Sequence, residues 1–176
     1  MTARTVLQEA DISRALTRIA HEILESNRGV DGLVLLGVPT RGVNLARRLA
    51  AIIARIAETT VPCGSLDVTL FRDDLSRQPT RSPQPTEIPA GGIDGKTVVL
   101  VDDVLFSGRS IRAALDALQS IGRPAVVRLA TLVDRGHREL PIRPDFVGKN
   151  IPSSRQERVN VRLHETDGID AVTIES

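Results

Sequence analysis

The sequence predicts an α/β domain with a central, mostly parallel sheet flanked by helices. Short apolar runs, at 33–36 (Leu-Val-Leu-Leu) and 97–101 (Thr-Val-Val-Leu-Val), read as strands buried on both faces. Stretches with apolar residues at helical spacing stand between such runs. Strand and helix therefore alternate, which calls for right-handed crossovers joining parallel strands. In such sheets ligands bind beyond the carboxyl ends of the strands.

Taken in order, Asp11 is positioned to cap a helix that runs to about Asn27. Ile12, Ala15, Leu16, Ile19, Ala20, Ile23 and Leu24 give it one apolar face. Residues 33–36 form a short strand ended by Gly37. A second helix, rich in Ala, Leu and Ile, runs from Asn44 to about Glu58. Residues 65–71 alternate enough to read as a strand. Residues 72–96 differ in kind: Pro79, Pro83, Pro85 and Pro89 interrupt a stretch with few apolar side chains, a composition that suits an active-site lid. The next strand is 97–101, followed by a helix from about Gly108 to Ile121 and a strand at 125–133. Residues 134–158 are irregular and charged, and 159–163 and 171–174 are short late strands.

The 176 residues suffice for one domain with a real core. No apolar run approaches the roughly 18 residues of a membrane span, and no basic-then-apolar leader opens the chain. Cys63 stands alone, which excludes an intrachain disulfide and fits a reducing cytoplasm. The formal charge is only +1, so nucleic acid would have to bind a local basic patch. With no Trp or Tyr and three Phe, an aromatic base-stacking platform is excluded.

The strongest chemical pattern follows the strand at 97–101. Asp102 and Asp103 lie side by side, then come Val104, Leu105 and Phe106 and the turn Ser107-Gly108-Arg109-Ser110. Three readings of the acids compete: a capping acid beside a surface acid, a receiver-type phospho-acceptor site, or ligands for ribose hydroxyls and Mg²⁺. Two acids held close at the end of a buried strand are costly without compensating partners. The turn offers backbone N–H groups, two hydroxyls and a helix N-terminus, which together suit a phosphate and favour the third reading.

This segment resembles the phosphoribosyl diphosphate motif of type I phosphoribosyltransferases, and Thr40-Arg41-Gly42 resembles their diphosphate loop. Further blocks narrow the resemblance: 15–22, Arg72-Asp73-Asp74-Leu75, 134–143 and Gly148-Lys149-Asn150-Ile151-Pro152. As an ordered set covering essentially the whole chain, they are similar to the bacterial PyrR family of pyrimidine operon regulators, which double as uracil phosphoribosyltransferases. The resemblance implies a type I phosphoribosyltransferase fold as a single domain over 1–176, with a lid at 72–96. A small hood would be built from the termini and the segment 134–163.

The resemblance also implies roles. Asp102 and Asp103 would contact the ribose hydroxyls, and residues 106–110 would hold the 5′-phosphate, with Val104 and Leu105 in the same substrate-binding segment. Thr40 and Arg41 would meet the diphosphate, with Arg72 at the lid hinge. Mg²⁺ would be held mainly through the substrate, near Asp102 and Asp103. Arg135 and the backbone at Val159 fall where the family contacts base or nucleotide. Thr17, Arg18, His21, Arg138, Arg143, Lys149 and Ser153 match a basic surface that binds the pyr mRNA leader. The bland readings stay beside these: a surface Arg at a helix start for Arg41, a structural Arg and a plain strand Val, a solvated helix face, and a mobile charged loop.

The implied function is dual. Uridine nucleotide, UMP or UTP, would promote mRNA binding, and the same pocket would convert uracil and phosphoribosyl diphosphate to UMP and diphosphate. A homodimer or larger homo-oligomer and a cytoplasmic location go with it. Two alternatives are a plain salvage enzyme without RNA control and a nucleotide sensor without activity. The last is prompted by Pro39, which stands where family members often carry Lys and which restricts the backbone of Val38. Ser107, Ser110 and Ser153 stand for Thr and keep the hydroxyl; Phe106 stands for Tyr and loses it.

Overall fold

A computed structural model describes residues 2–74 and 82–176. The elements are β1 (Ala3–Gln8), α1 (Glu9–Asn27), β2 (Leu33–Gly37), α2 (Arg41–Ala57), β3 (Cys63–Ser65), β4 (Thr97–Leu105), α3 (Arg109–Gln119), β5 (Val126–Asp134), β6 (Phe146–Asn150), β7 (Arg158–Arg162), α4 (His164–Asp167) and β8 (Ala171–Glu175). Five strands form the central sheet in the order β3-β2-β4-β5-β6, every neighbouring pair parallel.

The apolar runs explain why this sheet is covered on both faces. Along β2, Leu33 and Leu35 enter one core while Val34 and Leu36 enter the other; along β4, Val99 and Val101 oppose Val98 and Leu100 in the same way. The first core receives Ile12, Leu16, Ile19 and Ile23 of α1 and Leu45, Leu49 and Ile53 of α2. The second receives Ile111, Ala114 and Leu118 of α3. The stripe expected on the first helix is the face that is buried.

The hood is a separate antiparallel sheet in the order β1-β8-β7, with α4 between β7 and β8. It is narrower in sequence than 134–163, because residues 146–150 leave the hood segment and join the central sheet as edge strand β6 beside β5. Side chains of α2 fasten the hood to the core. Arg48 reaches Glu165 and Asp170, Asn44 reaches Thr166, and Arg41 reaches Asp167.

Several boundaries differ from expectation, each for a local reason. α1 begins at Glu9, and Asp11 sits in its first turn, accepting the Gln8 N–H at 2.8 Å from inside the helix instead of capping it from outside. α2 begins at Arg41 rather than Asn44. Gly42 lets that first turn approach β4, since a Cβ there would lie 2.5 Å from the Val101 carbonyl oxygen. The strand expected at 65–71 is β3 at Cys63–Ser65, followed by a single 3-10 turn at Thr69–Phe71. Asp67 accepts the Thr69 N–H and hydroxyl there and turns the chain. β4 continues through both acids to Leu105, because β5 pairs with it as far as Asp134.

The lid expected at 72–96 falls partly on residues 75–81, which lie outside the described residues. Its return limb is tied to the sheet: Ser65 and Glu87 exchange backbone hydrogen bonds, and the Ser65 hydroxyl donates to Pro85 O. Among the described residues no helix is long and apolar enough to cross a membrane.

Candidate functional site

The carboxyl end of β4 opens onto a cleft of about 250 Å³. Its lining includes Arg72, Asp102, Val104, Leu105, Phe106, Ser107, Gly108, Arg109 and Ser110, so most of the expected substrate residues share one cavity. Asp73, Asp74 and Ile111 line it too, although sequence reasoning gave them no role. The block Arg72-Asp73-Asp74 had been singled out as a pattern, but nothing in the sequence says that its acids face the phosphate turn.

Asp102 is buried, and its Oδ1 accepts the Asp103 N–H at 2.8 Å; Asp103 Oδ1 accepts the Val104 N–H at 2.8 Å. Each acid thus uses one oxygen to stiffen its own strand. Burial, and then the charge of Asp103, push the Asp102 carboxyl well above the usual carboxylate range. No ion pair reaches Asp102 among the described residues. These are hard oxygen donors without soft ligands, which fits Mg²⁺. Among the described residues no three metal-ligating side chains gather.

The turn after β4 enters α3 through Gly108, at φ 94°, a conformation open to glycine. No side chain caps α3 in the usual way. The Ser107 hydroxyl accepts the Arg109 N–H at 3.2 Å, so the first-turn amides that follow remain available to an anion. The turn is held from outside by the segment after β5. Ser107 O accepts the N–H groups of Glu139 and Leu140. Arg138 donates to Phe106 O, Ile142 O and Asp134 Oδ2.

Arg135 is buried with its guanidinium 4.2 Å from the Phe106 ring centre. It donates to Ser153 Oγ, Ser154 O and Glu157 O. Burial lowers its pKa from the ordinary arginine value. His137 meets the same ring edge-on. Val159 lies half-buried on β7, paired with Ile174 and packed against the main core. Arg135 and Phe106 are thus in contact, whereas Val159 belongs to the hood sheet.

Ion pairs close the cleft mouth. Arg109 donates to Asp73 at 2.6 Å and to Glu139 at 2.9 Å, and Arg155 donates to Glu139 at 2.9 Å. Arg72 is paired with Asp74 at 2.8 Å. Thr40 lies outside this cavity, in a neighbouring groove with Pro39, Arg47 and Glu87. Arg41 stands next to it, gripped by Asp167 of the hood through Nε at 3.0 Å and Nη2 at 2.7 Å. Glu139 and Asp167 were not foreseen, because their partners lie 30 and 126 residues away.

The residues expected to meet RNA divide into two groups. Arg143 and Lys149 are exposed, and Thr17 and His21 line a depression between α1 and α2 with Arg55 and Ile56. The others also bond within the fold, although the Arg18 side chain stays 53% exposed. Arg18 donates to the carbonyls of Val147 and Gly148 on edge strand β6, Ser153 is bonded to Arg135, and Arg138 is spent on the phosphate turn.

Residues 3–164 match the family model described as phosphoribosyl transferase domain. The chain is 71% identical to the Bifunctional protein PyrR of Leifsonia xyli over 99% of this chain and 98% of that one. It is 64% identical to the Bifunctional protein PyrR of Streptomyces coelicolor over 98% and 89%. Among solved structures, the hypoxanthine phosphoribosyltransferase of Trypanosoma cruzi superposes with TM-score 0.74 at 17% identity, covering 98% of this chain and 91% of that one. That likeness speaks to the fold alone, which is the type I phosphoribosyltransferase fold that the resemblance implied. Full-length similarity and the matching domain place this chain in the PyrR family of phosphoribosyltransferase-domain proteins.

Proposed function

We propose that this protein is a uridine-nucleotide-dependent mRNA-binding regulator of pyrimidine biosynthetic genes that also acts as a uracil phosphoribosyltransferase. The observation that carries the reading is the end of β4: buried Asp102 beside half-buried Asp103, leading directly to a helix N-terminus whose first-turn amides face the cleft turn, in a chain 71% identical to a Bifunctional protein PyrR.

In the reaction, a bond forms between uracil N1 and the anomeric carbon while the bond from that carbon to diphosphate breaks. The N1 proton passes to solvent. The α3 amides with Ser107 and Ser110 bind the 5′-phosphate, and Asp102 and Asp103 orient the ribose through its hydroxyls. Arg41 and Thr40 receive the departing diphosphate, with Arg72 at the lid hinge adding positive charge. Phe106 and Arg135, with the backbone at Val159, flank the base. Asp102 and Asp103 would hold Mg²⁺ together with the substrate, and the ion would supply charge neutralisation on the diphosphate. Closure of the lid excludes water, so that uracil rather than hydroxide attacks.

UMP or UTP occupies the same cleft when pyrimidines are plentiful and favours binding of the pyr leader RNA. Thr17, His21, Arg143 and Lys149 meet the RNA, reading a folded hairpin through phosphates and polar contacts without aromatic stacking. Arg18, Arg138 and Ser153 hold that surface in shape. The protein works in the cytoplasm as a homodimer or larger homo-oligomer.

The test has two arms. Radiolabelled uracil with phosphoribosyl diphosphate and Mg²⁺ should yield UMP, and a gel shift with pyr leader RNA should tighten when UMP is added. UMP synthesis with RNA affinity indifferent to UMP and to Arg143→Ala would leave a plain salvage enzyme. UMP-sensitive RNA binding without synthesis would leave a sensor.

A further inference from the structure

Arg41 opens α2 directly after the loop 38–40, and Gly42 beside it packs against the backbone of Val101 and Asp102. Its backbone is therefore fixed at the carboxyl end of the sheet, but four rotatable bonds separate that backbone from the guanidinium. What fixes the guanidinium is Asp167, the last residue of α4, 126 residues away. Nε donates to Asp167 Oδ2 at 3.0 Å and Nη2 to Oδ1 at 2.7 Å, a bidentate fork. Asp167 is itself anchored, since its Oδ2 also accepts the Leu163 N–H at 2.8 Å. Asp103 adds a weaker electrostatic attraction to Arg41.

A guanidinium has two bidentate edges. Asp167 takes the Nε–Nη2 edge. The edge formed by Nη1 with the second hydrogen of Nη2 has no partner among the described residues, and the side chain is about one third exposed. We propose that Asp167 is a positioning residue: by gripping one edge of Arg41 from the hood, it presents the other edge to the diphosphate of phosphoribosyl diphosphate. This rests on the phosphoribosyltransferase reading and adds to it a residue that need not touch substrate. It also gives the hood a part in diphosphate binding, because Asp167 reaches Arg41 only when α4 is seated on α2.

The test uses the full-length protein and three variants. Asp167→Asn keeps an oxygen for the Leu163 N–H but loses the charge and faces Arg41 with an amide. The KM for phosphoribosyl diphosphate should rise about tenfold, the cost of roughly one charge-assisted contact. The KM for uracil should stay within about twofold, and Asp167→Glu should recover most of the loss. Arg48→Gln is the structural control. It cuts the neighbouring bridge from α2 to Glu165 and Asp170 without touching Arg41, and should lower the melting temperature while leaving that KM unchanged. Titration calorimetry with Mg²⁺-diphosphate reads the same site without turnover. If the wild type binds diphosphate and Asp167→Asn binds it equally well, the positioning role is wrong. If Arg48→Gln raises the KM as much as Asp167→Asn, the role is only to seat the hood, and the proposal falls. If Asp167→Asn does not fold, a KM for phosphoribosyl diphosphate unchanged in Asp167→Glu overturns it. If the wild type binds diphosphate but makes no UMP, the enzymatic reading fails while the diphosphate test still stands.

Discussion

Asp102→Asn should make the ligand-free protein more stable at neutral pH while spoiling its site. Asp102 is buried in β4 beside Asp103, with no ion pair among the described residues. Burial, and then the neighbouring charge, raise its folded-state pKa well above the ordinary carboxylate value. Between the unfolded value near 4 and the raised folded value, the native state binds one more proton than the unfolded state. Stability therefore falls as pH rises through that window, by about 1.4 kcal/mol per pH unit, and levels off above the folded pKa. Asn carries no charge and escapes this loss, while its side-chain oxygen still accepts the Asp103 N–H. The stability gap in favour of Asp102→Asn should open above about pH 4 and widen with pH. For a chain of this size it corresponds to roughly 3–6 °C of melting temperature per pH unit within the window. Thermal or urea unfolding of both proteins from pH 4 to pH 8, free of Mg²⁺ and nucleotide, measures it. A gap that does not change with pH, or an Asn variant less stable than wild type at pH 8, would refute the account of a buried, uncompensated charge.

Arg138→Ala should cost about 3 kcal/mol, seen as a fall of roughly 6–12 °C in melting temperature, because it frees two carbonyls and leaves Asp134 without its cation. Arg143→Ala should leave the melt unchanged and weaken RNA binding, lowering the slope of log affinity against log salt by about one; an unchanged slope would remove Arg143 from the phosphate contacts. Gly42→Ala should destabilise by about 2 kcal/mol and weaken Mg²⁺-diphosphate binding, since the new Cβ would lie 2.5 Å from Val101 O and must push α2 away from the acids. Calorimetric binding together with the melt checks both parts.

Most of the central sheet was legible because its strands announce themselves locally. Residues 33–36 and 98–101 are apolar on both faces, and a central parallel strand is the element that buries such a short run on both sides. β1 carries no such mark: five of its six residues are exposed or half-exposed, and its order comes from pairing with β8 at the far end of the chain. β6 buries only Phe146 fully, and its carbonyls at Val147 and Gly148 are held by Arg18, a partner more than a hundred residues away. The acid pair and the turn at 106–110 could be found from sequence for the reason the strands could: chain order alone puts them together. Asp167 on Arg41 and Glu139 on Arg109 depend on how the hood and the loop after β5 fold back, which no local pattern encodes.

That fold-back changes what the basic residues mean. Read along the sequence, 137–155 is a charged surface segment separate from the phosphate turn. In the structure the two are one assembly. Ser107 O holds the amides of Glu139 and Leu140, Phe106 O holds Arg138, the Phe106 ring stacks on Arg135, and Arg109 shares Glu139 with Arg155. Every residue from 106 to 109 thus touches that segment or a side chain bonded to it; for Gly108 the neighbour is Ile142, 3.3 Å from where a Cβ would stand. A phosphate that tightens this turn acts on the segment through covalently adjacent groups, with no longer route required. Linkage makes the effect mutual, so a ligand that orders 137–155 must raise affinity at the turn by the same factor. Arg143 and Lys149 are exposed in or beside the same segment, where RNA bound as proposed would read such ordering. Substituting Arg138 or Ser153 would disturb the assembly itself, so a loss of RNA affinity in those variants measures the support, whereas substituting Arg143 or Lys149 in this segment measures the proposed contact.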